Sequence, residues 1–154
     1  MRESSLWSSL KSSKQLDFAV RIESSTSPGI PDVYFATGTG VTGWIELKVI
    51  PDTRRKLLVR GTGHGQLRPL QILWAKQAAE KNIFSCVLLS YRKQEILVSC
   101  RDVSKLLDAD AKEVMSAALW IGGATPRLRW QGLKDKLEKH GQVSIIQMAT
   151  GSDQ

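Results

Sequence analysis

The stretch from Pro31 to Ile50 restricts the fold of this chain more than any other. Two strand-like runs, PDVYFAT and GWIELKVI, are joined by the glycine-rich GTGVTG. Side chains alternate across a strand, so Ile45, Leu47 and Val49 share one face while Glu46 and Lys48 share the other. A hairpin centred near Gly40 would pair residues 32–37 with 43–49. That register sets Asp32 opposite Lys48, with Glu46 one diagonal away, about 7–8 Å at the backbone. Three polar side chains then meet on a sheet of Val33, Phe35, Ile45, Leu47 and Val49. Two acids clustered there are unfavourable unless they are paired or bound to a cation. The string Gly38-Thr-Gly-Val-Thr-Gly43 satisfies G-x-G-x-x-G, but it leads into a strand and not into a helix. It reads as a turn, and no dinucleotide or other nucleotide cofactor is expected.

The flanking segments supply the rest of a domain. Residues 3–14 read as a helix with Leu6, Trp7 and Leu10 on one face. Residues 17–24 alternate and predict a half-buried strand, with Phe18, Val20 and Ile22 on one side and Arg21 and Glu23 on the other. Residues 51–66 form a long basic loop, of a length that is usually functional or mobile. Residues 67–81 read as a helix carrying Leu70, Leu73, Trp74 and Ala78 inward. Two strands follow, IFSCVLLSY and EILVSC, with a tight turn at Arg92–Gln94. The remainder predicts a short turn near 102–108, a helix near 110–120, a Gly-Pro loop and a charged helix near 131–140. The order of helix, three strands, helix, two strands and helices indicates an α/β chain of α+β type, a central mixed sheet flanked by helices. One domain is expected over residues 1–147, with a core at about 3–100, a helical extension at 101–147 and a disordered tail at 148–154.

Composition narrows the class. An apolar fraction of 42% and a charged fraction of 24% are those of a soluble globular protein. No run approaches the ~20 apolar residues of a membrane span. The opening MRESSLWSSLKSSK carries an acid and several serines, unlike a secretion signal, so a cytoplasmic protein, bacterial or in an infected host, is expected. Cys86 and Cys100 could face each other across a hairpin, although buried thiols fit a reducing compartment better. Lys and Arg outnumber Asp and Glu by 22 to 15, a net +7 that suits a polyanion.

The polar trio has two readings. One is a solvated ion pair of Lys48 with Glu46 or Asp32. The other is a cation site, since Mg²⁺ takes oxygen ligands, keeps several waters and commonly uses one or two carboxylates with a substrate phosphate. In that reading Lys48 orients the attacking water or stabilises the developing oxyanion.

The string GIPDVYF…GWIELKV resembles the PD-(D/E)XK nuclease superfamily, most closely its virus-type replication-repair nuclease (VRR-NUC) branch and the related phage Holliday junction resolvases. The similarity spans roughly residues 3–90. It includes Gly29 before Pro31-Asp32, the Glu-x-Lys strand, and a following helix with Gln71 and Trp74. It implies a restriction-endonuclease-like core of αβββαβ order and a Mg²⁺-dependent endonuclease, with Mn²⁺ able to substitute. By position, Asp32 and Glu46 would be metal ligands, Lys48 the catalytic lysine and the Leu47 backbone carbonyl a further ligand. Gln71 would position substrate or water. An extra acid on the first helix is common in such enzymes; Glu3 fits by position, and Glu23 competes with it.

The resemblance also implies DNA as partner, in branched form such as a four-way junction, and a homodimer to cut it symmetrically. The helix near 110–120, with Val114, Met115, Ala118, Leu119 and Trp120, fits either a dimer contact or core. A nuclease acting on linear duplex or flaps, in repair or restriction, is the alternative. A non-catalytic DNA-binding protein of the same fold is another. Arg54, Arg55, Lys56, Arg60 and Arg68 leave directly from the Glu-x-Lys strand and are placed to contact phosphates. His64 sits among them as a surface histidine of that DNA-facing loop and not as a catalyst. Arg127, Arg129, Lys134, Lys136 and Lys139 read as a second basic patch on an exposed helix.

Overall fold

A computed structural model describes residues 1–23 and 28–151, with side chains described up to residue 142. In chain order it contains α1 (Glu3–Ser12), β1 (Phe18–Arg21), β2 (Val33–Ala36), β3 (Thr42–Val49), α2 (Pro69–Glu80), β4 (Ser85–Tyr91) and β5 (Gln94–Ser99). These are followed by α3 (Cys100–Leu106), α4 (Ala111–Ala117), β6 (Trp120–Ile121) and α5 (Leu133–Gly151). The six strands lie in one sheet in the order β1-β2-β3-β4-β5-β6. Only β3 and β4 run parallel; every other pair is antiparallel. A parallel pair needs a crossover connection, and α2 with the loop before it supplies one. The fold is thus a mixed sheet with helices, of α+β type.

Each face of the sheet carries its own core. On one, Val33, Phe35, Ile45, Leu47, Leu88 and Leu97 pack under Leu6 and Leu10 of α1 and Leu133 and Leu137 of α5. On the other, Val87, Leu89, Ile96 and Val98 pack under Ile72 and Ala75 of α2, Val103 of α3 and Val114 of α4. The strands at the centre are therefore apolar on both faces, and Glu46 and Lys48 interrupt the second one. Among the described residues no helix is long and apolar enough to cross a membrane.

Several expectations need correction. The β2–β3 turn centres on residue 39: Val33 pairs with Ile45 and Ala36 with Thr42. Thr37 N–H donates to Val41 O at 2.8 Å and Gly40 N–H to Thr37 O at 3.0 Å, with Gly40 at φ +90°. The hairpin is one residue tighter than the sequence suggests, which brings Glu46, and not Lys48, opposite Asp32. The shift in pairing is two residues, so the faces are unchanged.

The strand expected over 17–24 is short, and its apolar side chains are not its buried ones. Phe18 is 53% and Val20 41% exposed, β1 being an edge strand of the sheet. Residue 24 falls outside the described residues. In α2, Leu70 and Leu73 are exposed, while Gln71, Ile72, Ala75 and Ala78 face the sheet. The helix is rotated from the apolar-count expectation so that Gln71 lies over Glu46.

The helix expected at 110–120 ends at Ala117, and Trp120–Ile121 instead add a sixth strand to β5. Val114 and Trp120 belong to the core, so this segment is not a free dimer face. The last helix runs to Gly151, through part of the expected tail; residues 152–154 lie outside the described ones. Cys86 pairs in register with Ser99 and not with Cys100, and both cysteines are free and buried. Arg129 is not a solvated charge, since it is bound to the buried Glu95, whereas Lys134 pairs with Asp17 at the exposed surface.

Candidate active site

Strand alternation positions the site. Odd-numbered residues of β3 fill the core under α1, so Glu46 and Lys48 must project to the face crossed by α2. Both are nearly enclosed, at 4% and 6% exposure. Lys48 Nζ lies 3.8 Å from Glu46 Oε1. This is not the solvated surface pair considered above.

Asp32 arrives from the loop just before β2. Its Oδ2 accepts the Leu47 N–H at 2.8 Å, and its own carbonyl accepts from Ile22 N–H. The N–H and C=O of one strand residue point to the same edge, so the Leu47 carbonyl also faces the Asp32 side, where β2 has not yet begun. Gly29 lets this loop approach α2: its φ is +100°, and a Cβ there would sit 2.6 Å from the Leu70 carbonyl oxygen.

Gln71 closes the site from above. Its Oε1 accepts the Arg68 N–H at 2.9 Å and its Nε2 donates to Glu46 Oε1 at 3.2 Å. It is 6% exposed, so its side chain belongs to the acidic cluster and not to a wet helix face.

The electrostatics are those of crowded acids. Burial, reinforced by a hydrogen bond with Asp32 and the charge of Asp32, holds the Glu46 carboxyl far above the ordinary carboxylate range, against the pull of Lys48. Glu3, at the start of α1, is raised mainly by burial, with Lys48 opposing and Asp32 adding to the effect. Two carboxyls this close share either a proton or a cation.

These groups line one cavity of about 260 Å³, bounded by Glu3, Asp32, Glu46, Lys48 and Gln71 on one side. Residues Thr62 to Gln66 and Arg68 form the opposite wall. Glu3 therefore reaches the cluster, whereas Glu23 is exposed and does not line the cavity. Of the basic loop residues, His64 and Arg68 line it. Arg54 is spent on the loop itself, donating to the carbonyls of Gly65 (3.1 Å) and His64 (2.7 Å). Arg55, Lys56 and Arg60 are exposed outside the cavity.

Sequence reasoning missed Thr62, Gly63, Gly65 and Gln66. The signal was the Gly61-Thr-Gly-His-Gly65 run, whose bare backbone can pack closely: a Cβ on Gly65, at φ +69°, would strike the Val49 carbonyl at the end of β3. Among the described residues no group of three or more His, Cys, Asp or Glu side chains is placed to hold a metal. What the cluster offers is an all-oxygen set: two facing carboxyls, the Leu47 carbonyl beside them, and Glu3 nearby. Such a set fits a hard divalent cation that keeps part of its water. Compared with protein-family models and with curated proteins, the chain matches none, and the candidate site stands on its geometry.

Proposed function

We propose that this chain is a Mg²⁺-dependent endodeoxyribonuclease of the PD-(D/E)XK kind, acting on branched DNA such as a four-way junction. The observation that carries the reading is the contact of the Asp32 and Glu46 carboxyls inside a cavity that Lys48, Gln71, His64 and Arg68 also line. A structural ion pair needs neither the second acid nor an open cavity.

In this reading Asp32, Glu46 and the Leu47 carbonyl hold the cation, and Glu3 lines the same cavity as a further acid. When bound, Mg²⁺ (or Mn²⁺) supplies Lewis-acid polarisation of the phosphate and acidifies the attacking water. The protein's own groups do the rest. Lys48 brings a fixed positive charge to the point where negative charge develops on the phosphate. Gln71 holds Glu46 in one orientation. Arg68 and His64 meet the DNA backbone at the rim, and the net +7 draws the polyanion in. We extend the proposal to a homodimer, since two strands of a symmetric junction call for two symmetric sites, and to a cytoplasmic location.

The test is cleavage of a labelled four-way junction beside linear duplex of the same sequence, with Mg²⁺, Mn²⁺ or EDTA, by the unaltered protein and Lys48→Ala. Metal-dependent paired nicks in the junction, lost in the variant, support the full proposal. Cutting of linear DNA alone keeps the chemistry and discards the junction. Binding without any cutting overturns the enzyme reading.

A further inference from the structure

On the opposite face of the sheet from the acidic cluster, a second carboxylate is buried. Glu95 of β5 is wholly enclosed. Its Oε1 accepts from Arg129 Nε at 2.7 Å and pairs with Arg129 Nη2 at 2.5 Å. Its Oε2 is buried with no hydrogen-bond partner among the described residues. Enclosing a half-satisfied carboxylate is unfavourable, and an apolar residue in its place is often neutral or stabilising. The ion pair is better explained by what it holds than by stability.

It holds α1. Arg129 Nη1 donates to Ser9 Oγ at 2.9 Å, and Trp130 Nε1 donates to the same oxygen at 2.9 Å. The Arg129 guanidinium lies 5.2 Å from the centre of the Trp130 ring. At the other end of the helix, Ser90 Oγ and Arg129 Nη2 both approach Met1 Sδ, at 3.6 and 3.8 Å. Glu3 lies between these two anchor points. Leu6 and Leu10 seat α1 on the core, but apolar burial is non-directional and leaves rotation and sliding weakly determined. The helix has no side-chain cap at its start. The directional bonds to Ser9 set its turn and depth, about 9 Å along the axis from Glu3 at 1.5 Å per residue.

We infer that Arg129, locked by Glu95, is a positioning residue that determines where α1 delivers Glu3 into the active-site cavity. The inference rests on the nuclease reading, with Glu3 as an acid of the cavity wall beside the two cation ligands. It assigns a role to a pair that touches neither substrate nor cation.

The test is a double-mutant cycle between Ser9 and Glu3, read on Mn²⁺ affinity by calorimetry and on kcat and KM for DNA cleavage. Ser9→Ala cuts the link without touching the Glu95–Arg129 pair, and its melting temperature checks that the fold is kept. Arg129→Lys, which keeps the charge and loses the fork, is the second variant. Groups that orient metal-site residues are worth about 10–100-fold in affinity or activity. The expected result is a loss in that range in kcat and Mn²⁺ affinity with KM little changed, for Ser9→Ala and Arg129→Lys alike. In a Glu3→Gln background neither change should cause a further loss; the affinity arm remains readable if that background is inactive. Full activity in both variants, or losses that multiply with Glu3→Gln, would overturn the inference and leave the nuclease reading standing. An unaltered protein that neither binds Mn²⁺ nor cuts DNA would remove both.

Discussion

Gln71 is bound at both ends of its amide, accepting from the Arg68 backbone at 2.9 Å and donating to Glu46 at 3.2 Å. The first bond decides which end of the amide faces the acid, because an N–H can only meet the carbonyl oxygen. Glu46 therefore always meets a donor. Gln71→Ala removes that donor and should lower kcat by about 10–100-fold, the range for groups that orient metal ligands. Steady-state cleavage kinetics would show it; an unchanged kcat would reduce Gln71 to a packing residue.

Lys48→Met keeps the length of the side chain and removes the charge. Loss of one group that stabilises the transition state is worth about 10²–10³ in kcat. Binding of Mn²⁺, which in the proposed function uses the acids, should survive. Calorimetry beside single-turnover cleavage separates the two effects, and loss of metal binding in parallel with activity would contradict the assigned role.

Arg68 lines the cavity, whereas Arg55 lies outside it. Arg68→Ala should weaken DNA binding evenly across sequences and reduce the slope of log affinity against log salt by about one unit. Arg55→Ala is the control. Equal slopes for the two variants would remove Arg68 from the interface.

The raised Glu46 and Glu3 carboxyls carry a pH signature. A carboxyl whose native pKa lies above its unfolded value of 4.5 binds a proton more tightly when folded. Its stabilisation is complete below that value and is lost as pH rises through the native pKa. The metal-free protein should thus lose stability as pH climbs from the acid range through neutrality. A divalent cation takes the proton's place, so the gain in melting temperature from Mn²⁺ should be larger near pH ~8 than near pH ~5.5, with protons released on binding. Thermal unfolding with and without Mn²⁺ at the two values decides it, and Glu46→Gln should flatten the difference.

Gly29→Ala forces a side chain toward the Leu70 carbonyl at φ +100°. Backbone strain of this kind is worth about 1–3 kcal/mol, before any contact with α2 is counted. Gly40→Ala is the comparison, since its φ of +90° is similar but nothing lies within 4 Å. Denaturant unfolding should show Gly29→Ala to be the more destabilised. Parity between the two would mean that the approach to α2 carries no weight.

Much of the acidic cluster was legible because strand alternation is local: once 43–49 is a strand, Glu46 and Lys48 share a face whatever the rest of the chain does. The pairing across it was less so, since three closely spaced glycines accommodate a turn centred on 39 or on 40. The rotation of α2 could not be read from apolar spacing, because Gln71 is buried by what lies beneath it, the Glu46 carboxyl, and not by its own character. The exposure of Phe18 and Val20 follows from the place of β1 at the sheet edge, a property of the assembled layers. Trp120–Ile121 form a strand only because β5 offers them an edge. Arg129 looked like one more surface charge; its partner Glu95 lies thirty-four residues earlier, a separation no local pattern reports.

The stretch between β3 and α2 has almost no regular structure, yet it is tied down at several points. Leu57 and Leu58 are fully enclosed, Tyr91 Oη donates to the Arg54 carbonyl at 2.7 Å, and Gln66 Oε1 accepts from Gly63 N–H at 2.9 Å. Such anchors limit the loop freedom that a bound ligand would have to freeze, a penalty of about 0.5–1.5 kcal/mol for each side chain immobilised. In the proposed function, a rim tied down in this way leaves the DNA to bend or open to meet it.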